Sequence, residues 1–285
     1  RARRTSSFLS ALKHELLNSL TPPTHTLPKS TKSTWFRFQL THQIKAVLFD
    51  VGGPLDTETI MDREIDKQIL LSFRANGISI SDDEYAGINQ WAVDVFAAKT
   101  YHSIMWKIAK GDLNLIAQVE SELMETVPQR NELRGDFELR EGSSDLLEGL
   151  VEQGLLLGLA ANQPTESLKN MERYGILKYF SYKEVSGSIK LRKPDPRLLL
   201  SSCRGLGIEP MEAIMVGDRI DNDIVPSRML GMAAIRFVSG RHSSQQPRSW
   251  NEAPHADVTN MDELGKAIRR FVANPPNTTG DDGPE

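Results

Sequence analysis

Three short apolar runs of the chain end in polar residues that could take part in catalysis. Asp50 ends IKAVLFD, Asn162 ends LLLGLAAN, and Asp218 ends EAIMVGD. Asp223 follows the third run, and Lys193 lies in the loop KLRKPDP between the second and third runs. A lone aspartate after a strand is more often a turn former or a helix cap than a catalytic group. The chemistry therefore depends on whether the fold brings these side chains together.

The arrangement of the apolar runs predicts the fold class. Each run is short and continuous, as in strands that are buried on both faces of a parallel sheet. A fourth run, AAIRFVS, follows the third, and YKEVSG is predicted to be a further short strand. The segments between the runs have a helical period and are bounded by glycine or proline. This alternation indicates an α/β fold with a doubly wound parallel sheet.

Such a sheet binds its ligands at the carboxyl ends of its strands. We therefore expect Asp50, Asp218 and Asp223 to converge there, with Asn162 and Lys193 nearby. Crowded carboxylates repel one another and need a cation between them. A set of oxygen ligands favours Mg²⁺, which binds through carboxylates, water and substrate phosphate. In outline this is a site for phosphoryl transfer.

Composition and pattern divide the chain into predicted parts. Residues 1–43 contain seven basic residues and one acid and are rich in Ser, Thr and Pro, which predicts a disordered basic extension. Residues 44–58 and 134–272 form the predicted α/β core. Residues 59–133 contain about four helical stretches and almost no strand signal, and residues 273–285 are predicted to be a disordered tail.

One of the helical stretches has a clear start signal. Ser81 is a predicted N-cap, with Glu84 three residues later. The breaks between the stretches are predicted at Asn76-Gly77 and at Gly111-Asp112.

Several protein classes are disfavoured. The net charge of −4 argues against a nucleic-acid-binding protein driven by charge, and no apolar run is long enough to cross a membrane. The single cysteine, Cys203, cannot form an internal disulfide, so a reducing compartment fits. We expect a cytoplasmic monomer or homodimer. An organelle is the alternative if residues 1–43 are a transit peptide.

The motifs together resemble those of the haloacid dehalogenase-like (HAD) superfamily, over residues 44–272. The family's first motif, a strand that ends in an aspartate nucleophile, matches VLFDVGG at Asp50. The second falls on LGLAAN, the third matches KPDP at Lys193, and the fourth matches MVGDRIDND at Asp218 and Asp223. The helical insert after the first motif resembles the family's cap, which closes over the site and sets substrate choice.

The resemblance implies a Mg²⁺-dependent hydrolase that acts on a small phosphorylated metabolite. Asp50 would be the nucleophile that forms an aspartyl-phosphate, and Lys193 would stabilise the charge on it. Asp50, Asp218, Asp223 and the carbonyl group of Gly52 would hold the metal.

Two departures from the family's pattern affect this interpretation. Gly52 stands where most HAD phosphatases have a second aspartate, the general acid/base, and Asp56 follows at a spacing that does not match. Ala161 stands in place of the hydroxyl residue of the second motif. Asn162 could supply the donor lost at Ala161, and Asn162 and Gly53 are the predicted substrate-binding residues. A missing acid favours leaving groups that need no protonation, such as acyl, aryl or anomeric phosphates.

Two alternatives remain open at this stage. Carbon–halogen hydrolases of the same family also lack the second aspartate, since halide leaves unprotonated, but those enzymes need no metal. A non-catalytic ligand-binding protein is the other alternative, because Gly52 and Ala161 both point to a decayed site. The retained Asp50, Lys193 and Asp218 argue against decay.

Overall fold

The computed structural model describes residues 42–57, 59–127 and 138–278. The extension predicted for residues 1–43 therefore lies outside the described residues, apart from its last two positions. The tail was predicted to begin one residue too early, because the last helix runs through Ala273 and buries Phe271. Residues 279–285 of the tail also lie outside the described part.

A five-stranded parallel sheet forms the centre of the fold. Its strands are β1 (Ala46–Phe49), β2 (Leu156–Leu159), β3 (Ala213–Gly217), β4 (Ala233–Phe237) and β5 (Ala256–Val258). Their order in the sheet is β2-β1-β3-β4-β5, so β1 lies between β2 and β3. The predicted doubly wound α/β fold is confirmed.

Helices precede and follow the strands along the chain. The described α-helices are α1 (Thr59–Ala75), α2 (Asp82–Asp94), α3 (Thr100–Ile108), α4 (Leu113–Glu125), α5 (Ser143–Glu152), α6 (Ser167–Arg173), α7 (Ser186–Ile189), α8 (Pro196–Leu206), α9 (Val225–Met229) and α10 (Met261–Ala273). A π-helical turn, Ile220–Ile224, separates β3 from α9. Among the residues that the structure describes, no helix is both long enough and apolar enough to cross a membrane.

Both faces of the sheet are covered, which explains the continuous apolar sequences of the strands. Phe49 of β1 belongs to a buried cluster that also contains Leu147 of α5 and Ile268 of α10. The next residue back, Leu48, belongs to a second buried cluster with Leu198 of α8. Successive strand residues thus enter cores on opposite faces of the sheet.

Helices α1 to α4 form an insertion after β1 with an apolar core of its own. That core includes Ile69, Phe73 and Ile104. Ser81 accepts the N–H of Glu84, and the Glu84 carboxylate accepts the N–H of Ser81, which confirms the predicted helix start. The boundaries 59–133 stay a prediction, and residues 128–137 lie outside the described part.

The strand predictions fail at two places. YKEVSG is not a strand: only Tyr182 makes an isolated bridge, to Gly158, and α7 begins at Ser186. The Ser188 hydroxyl accepts the N–H of Val185, and such local side-chain bonding favours a turn over a ladder. Strand β5 was not predicted either, because its three residues carry too little pattern to be recognised.

Candidate active site

Asp50 and Asp218 follow the carboxyl ends of two neighbouring strands, β1 and β3. The strands pair with Phe49 opposite Val216, and the Asp50 N–H donates to the Val216 carbonyl at 2.8 Å. This register brings the two aspartates side by side. Asp223 joins them from the π-helical turn after β3. One oxygen atom from each of the three carboxylates lies within 4.8 Å of the other two.

Lys193 places a buried ammonium group between two of these carboxylates. Its Nζ atom lies 2.8 Å from Oδ2 of Asp50 and 2.6 Å from Oδ1 of Asp223. The side chains of Lys193 and Asp223 are fully buried, whereas Asp50 is 13% exposed and reaches solvent. The Oδ1 atom of Asp50 accepts the N–H of Val51 at 2.8 Å. Asp50 is thus oriented through both oxygens and remains accessible.

The electrostatics of this cluster keep the lysine charged. Burial alone would lower the pKa of the Lys193 ammonium, but the carboxylates of Asp223 and Asp50 outweigh burial and raise that pKa. Burial raises the pKa of Asp223 to about 6, against the opposing charge of Lys193. A buried charge persists only when it is paired. Lys193 is therefore a fixed cation beside Asp50 at neutral pH.

Asn162 holds the backbone that presents the lysine. Its Oδ1 accepts the N–H of Lys193 at 2.8 Å, and its Nδ2 donates to the Lys193 carbonyl at 2.9 Å. Asn162 therefore positions Lys193. The role in substrate binding that the sequence suggested for Asn162 stays a prediction.

Two glycines allow the carboxylates to approach the backbone. Gly53 has a φ of +80°, and a Cβ atom there would lie 2.6 Å from the Cβ of Asp218. A Cβ at Gly217 would lie 2.2 Å from the Cγ of Asp223. A side chain at either position would displace a carboxylate. The N–H of Gly53 donates to the Asp56 carbonyl at 2.8 Å, and the predicted role of Gly53 in binding substrate stays a prediction.

A pocket of about 1080 Å³ opens at the carboxylates, with walls from the core and from the helical insertion. The core contributes Asp50, Gly52, Lys193 and Asp218 to it. The insertion contributes polar groups from the start of α3 and from α4, including Lys99, Tyr101, His102 and Glu120. The volume is sufficient for a small metabolite.

The Asp56 side chain contacts the backbone of a distant segment. The Oδ1 atom of Asp56 accepts the N–H of Glu138 at 3.2 Å, and Asp56 is not among the described residues that line the pocket. Ala161 is fully buried and offers no hydroxyl group. That Gly52 and Ala161 stand in place of catalytic groups stays a prediction.

Arg241, in the loop after β4, was not recognised in the sequence although it links the core to the insertion. It is 7% exposed and pairs with Asp66 at 2.8 Å and with Asp62 at 3.3 Å, both on α1. Its guanidinium lies 4.8 Å from the ring centre of Tyr101, and it also bonds Asn89 of α2. A lone arginine after a strand carries no signal for such contacts, since every partner is distant in sequence.

The residues at the strand ends suit Mg²⁺. The potential ligands of the cluster are all carboxylate oxygens, which hard cations prefer over nitrogen or sulfur. The three side chains are brought within reach of one ion by the pairing of β1 with β3 and by the turn that follows β3.

Comparison with known proteins identifies the family. The family described as haloacid dehalogenase-like hydrolase matches residues 44–229, well over half of the chain. The chain belongs to the haloacid dehalogenase-like hydrolase family. The four HAD motifs recognised in the sequence all lie within the matched residues.

Individual relatives of this HAD chain include two phosphatases. The glyceraldehyde 3-phosphate phosphatase of Methanopyrus kandleri is 31% identical over 124 residues, which are 43% of this chain and 53% of that protein. The phosphoserine phosphatase of Thermus thermophilus is 34% identical over 84 residues, 29% of this chain and 34% of that protein. The chain thus spans about half or less of the length of these curated relatives.

The fold also matches solved HAD structures. A HAD hydrolase from Bacillus subtilis, solved bound to magnesium, is 17% identical, with a TM-score of 0.54. The match covers 79% of this chain and 99% of that one. At this identity the likeness supports the fold alone.

Proposed function

We propose that this protein is a phosphohydrolase that releases phosphate from a small phosphorylated metabolite. The observation that carries the proposal is the accessible Asp50 carboxylate, held against the buried Lys193 cation in a pocket shared with Asp218. The family supports it, and so do the relatives that act on glyceraldehyde 3-phosphate and phosphoserine.

The reaction proceeds in two steps. A carboxylate oxygen of Asp50 attacks phosphorus, and the bond to the leaving oxygen breaks with its electron pair, which gives an aspartyl-phosphate. Lys193 stays protonated and stabilises negative charge on Asp50 and on the phosphoryl oxygens. Water then attacks phosphorus, releases phosphate and restores the Asp50 carboxylate.

Mg²⁺ is the proposed cofactor. Asp50, Asp218, Asp223 and the Gly52 carbonyl are the residues that would hold it. When bound, the metal supplies positive charge that neutralises the substrate phosphate. The fully buried Asp223 already pairs with Lys193. The charges of the lysine and of a bound metal would together balance the negative charge of the three carboxylates.

The proposal is tested by phosphate release from a panel of substrates. The panel contains glyceraldehyde 3-phosphate, phosphoserine, acetyl phosphate and an aryl phosphate, each assayed with Mg²⁺ and with EDTA. We expect turnover that requires Mg²⁺ and falls to background in Asp50→Asn. The matched control is Asp94→Asn, at the exposed end of α2, where the same change removes a charge outside the pocket and leaves turnover intact.

Three results would count against the proposal. Phosphate release that survives Asp50→Asn would remove Asp50 as the nucleophile. Chloride release from a 2-chloro acid without Mg²⁺, together with no phosphate release, would establish the carbon–halogen hydrolase instead. Thermal stabilisation by a phosphorylated ligand without any turnover would favour the binding protein.

A further inference from the structure

The proposed reaction lacks an identified proton donor. An alkoxide is a poor leaving group, and a positioned acid typically accelerates such a step by ~10²–10⁴-fold. Gly52 has no side chain to act as that acid, and the Asp56 carboxylate is directed at the Glu138 backbone. A donor, if the enzyme has one, must come from another wall of the pocket.

Most titratable groups of the described pocket wall are already paired with another group or have no proton to donate at neutral pH. Lys193 is enclosed by two carboxylates. The Tyr101 hydroxyl donates to Asp62, and burial followed by the Asp62 charge raises its pKa. Burial, together with the charge of Arg219, lowers the pKa of His242 to about 3. That histidine is therefore neutral at pH 7 and has no imidazolium proton to donate.

His102 differs from these groups in its setting. It lies in the first turn of α3, its side chain is 56% exposed, and it lines the pocket that contains Asp50. Its Nε2 atom lies 3.0 Å from Oε1 of Glu120 on α4, which lines the same pocket. A carboxylate that contacts one imidazole nitrogen fixes the orientation of the ring. The second nitrogen, Nδ1, is then the one that can exchange a proton with substrate.

We propose that His102, oriented by Glu120, is the general acid that replaces the aspartate missing at Gly52. The inference rests on the proposed phosphohydrolase function. As Asp50 forms its bond to phosphorus, the leaving oxygen takes the bonding pair and receives the Nδ1 proton of His102, which leaves neutral imidazole. In the second step the imidazole takes a proton from the attacking water, so phosphate departs and both residues return to their starting forms. Glu120 acts as a positioning residue.

The leaving group provides the test. An alkyl phosphate, glycerol phosphate, needs a protonated leaving oxygen, whereas p-nitrophenyl phosphate releases a stable phenolate. We expect His102→Gln to lower kcat/KM by ~10²–10⁴-fold for the alkyl substrate and by less than about threefold for the aryl substrate. Glu120→Gln should show the same selectivity to a smaller extent, which a general structural defect would not produce. His42→Gln, outside the pocket, is the matched control.

Each other outcome has a defined meaning. Equal losses on both substrates, or no loss on either, would overturn the assignment of His102. Wild-type turnover of the aryl substrate alone would also overturn it, because such an enzyme has no working acid, while the phosphohydrolase function would stand. If Asp50-dependent phosphate release is absent from both substrates, the proposed function fails and the inference fails with it. Thermal unfolding of each variant verifies that the exposed substitutions leave the fold intact.

Discussion

Arg241→Met is expected to loosen the contact between the helical insertion and the core. The guanidinium is nearly buried and faces two carboxylates of α1, Asp62 and Asp66, at 3.3 and 2.8 Å. Methionine fills similar volume without charge, so both carboxylates lose their cation. They keep their tyrosine donors, since Tyr101 bonds Asp62 and Tyr85 bonds Asp66.

The size of the effect follows from two opposing contributions. With an effective dielectric constant of 20, the Coulomb attraction at these distances is roughly 5–6 kcal/mol per pair, and desolvation of the ions cancels much of it. Breaking a fully buried pair typically costs about 3–5 kcal/mol. Asp62 and Asp66 are 31% and 27% exposed and retain one hydroxyl donor each. We therefore expect a loss of about 2–3 kcal/mol in the free energy of unfolding.

Urea unfolding measures this loss. Far-UV circular dichroism follows the unfolding of the whole chain. Tryptophan fluorescence is more sensitive to unfolding of the insertion, which contains Trp91 and Trp106. The matched control is Arg197→Met, whose partner is Asp195 at 2.5 Å but whose side chain is 71% exposed. An exposed pair of this kind contributes little to stability, because solvent screens it.

A double-mutant cycle separates the pair from its surroundings. Arg241→Met combined with Asp66→Asn should show a coupling energy of about 1–3 kcal/mol. If Arg241→Met destabilises the protein no more than Arg197→Met does, the buried contact between core and insertion does not stabilise the fold, and the reasoning is wrong.

Three further predictions concern the site and the core. Lys193→Met removes the cation that pairs with the buried Asp223 and with the partly exposed Asp50, so we expect loss of phosphate release and about 3–5 kcal/mol of stability in urea unfolding. Gly53→Ala combines a left-handed backbone, which costs about 1–2 kcal/mol, with a 2.6 Å contact to the neighbouring aspartate, so both stability and turnover should fall. Burial, then a nearby arginine, lowers the pKa of His255 to about 4, below the value near ~6.5 of an unfolded histidine. The unfolded chain therefore binds the proton more readily, and stability should be lost as pH falls from about 6.5 to 4, by at most ~3 kcal/mol. His255→Gln should flatten that dependence in urea titrations at several pH values.

Two of these predictions have a matched control variant. Lys190→Met changes an exposed lysine near Lys193 and should stay within about 0.5 kcal/mol of the parent protein. Gly77 has nearly the same φ as Gly53, +78°, but nothing within 4 Å of an added Cβ, so Gly77→Ala should lose stability without losing turnover. Equal effects of the two alanines would contradict the packing argument. An unchanged pH profile in His255→Gln would contradict the titration argument.

Local patterns in the sequence were sufficient to predict most elements and the strand ends. The runs that become β1 and β3 are continuous and apolar because both faces of the sheet are buried, so the sequence alone places Asp50 and Asp218 at one edge of the sheet. The start of α2 at Ser81 was equally local, since the capping bonds span three residues. Patterns of this kind depend only on residues that are close in sequence, so they can be recognised from the sequence alone.

The partners of individual side chains, by contrast, are decided by tertiary contacts. The direction of Asp56, away from the pocket and toward Glu138, depends on a segment 82 positions later. The bond between Arg241 and Asp66 spans 175 positions, and His102 meets Glu120 only because α3 packs beside α4. These contacts depend on which surfaces the fold brings together. A polar side chain on a helix or loop can reach many partners, and nothing in its own neighbourhood selects one.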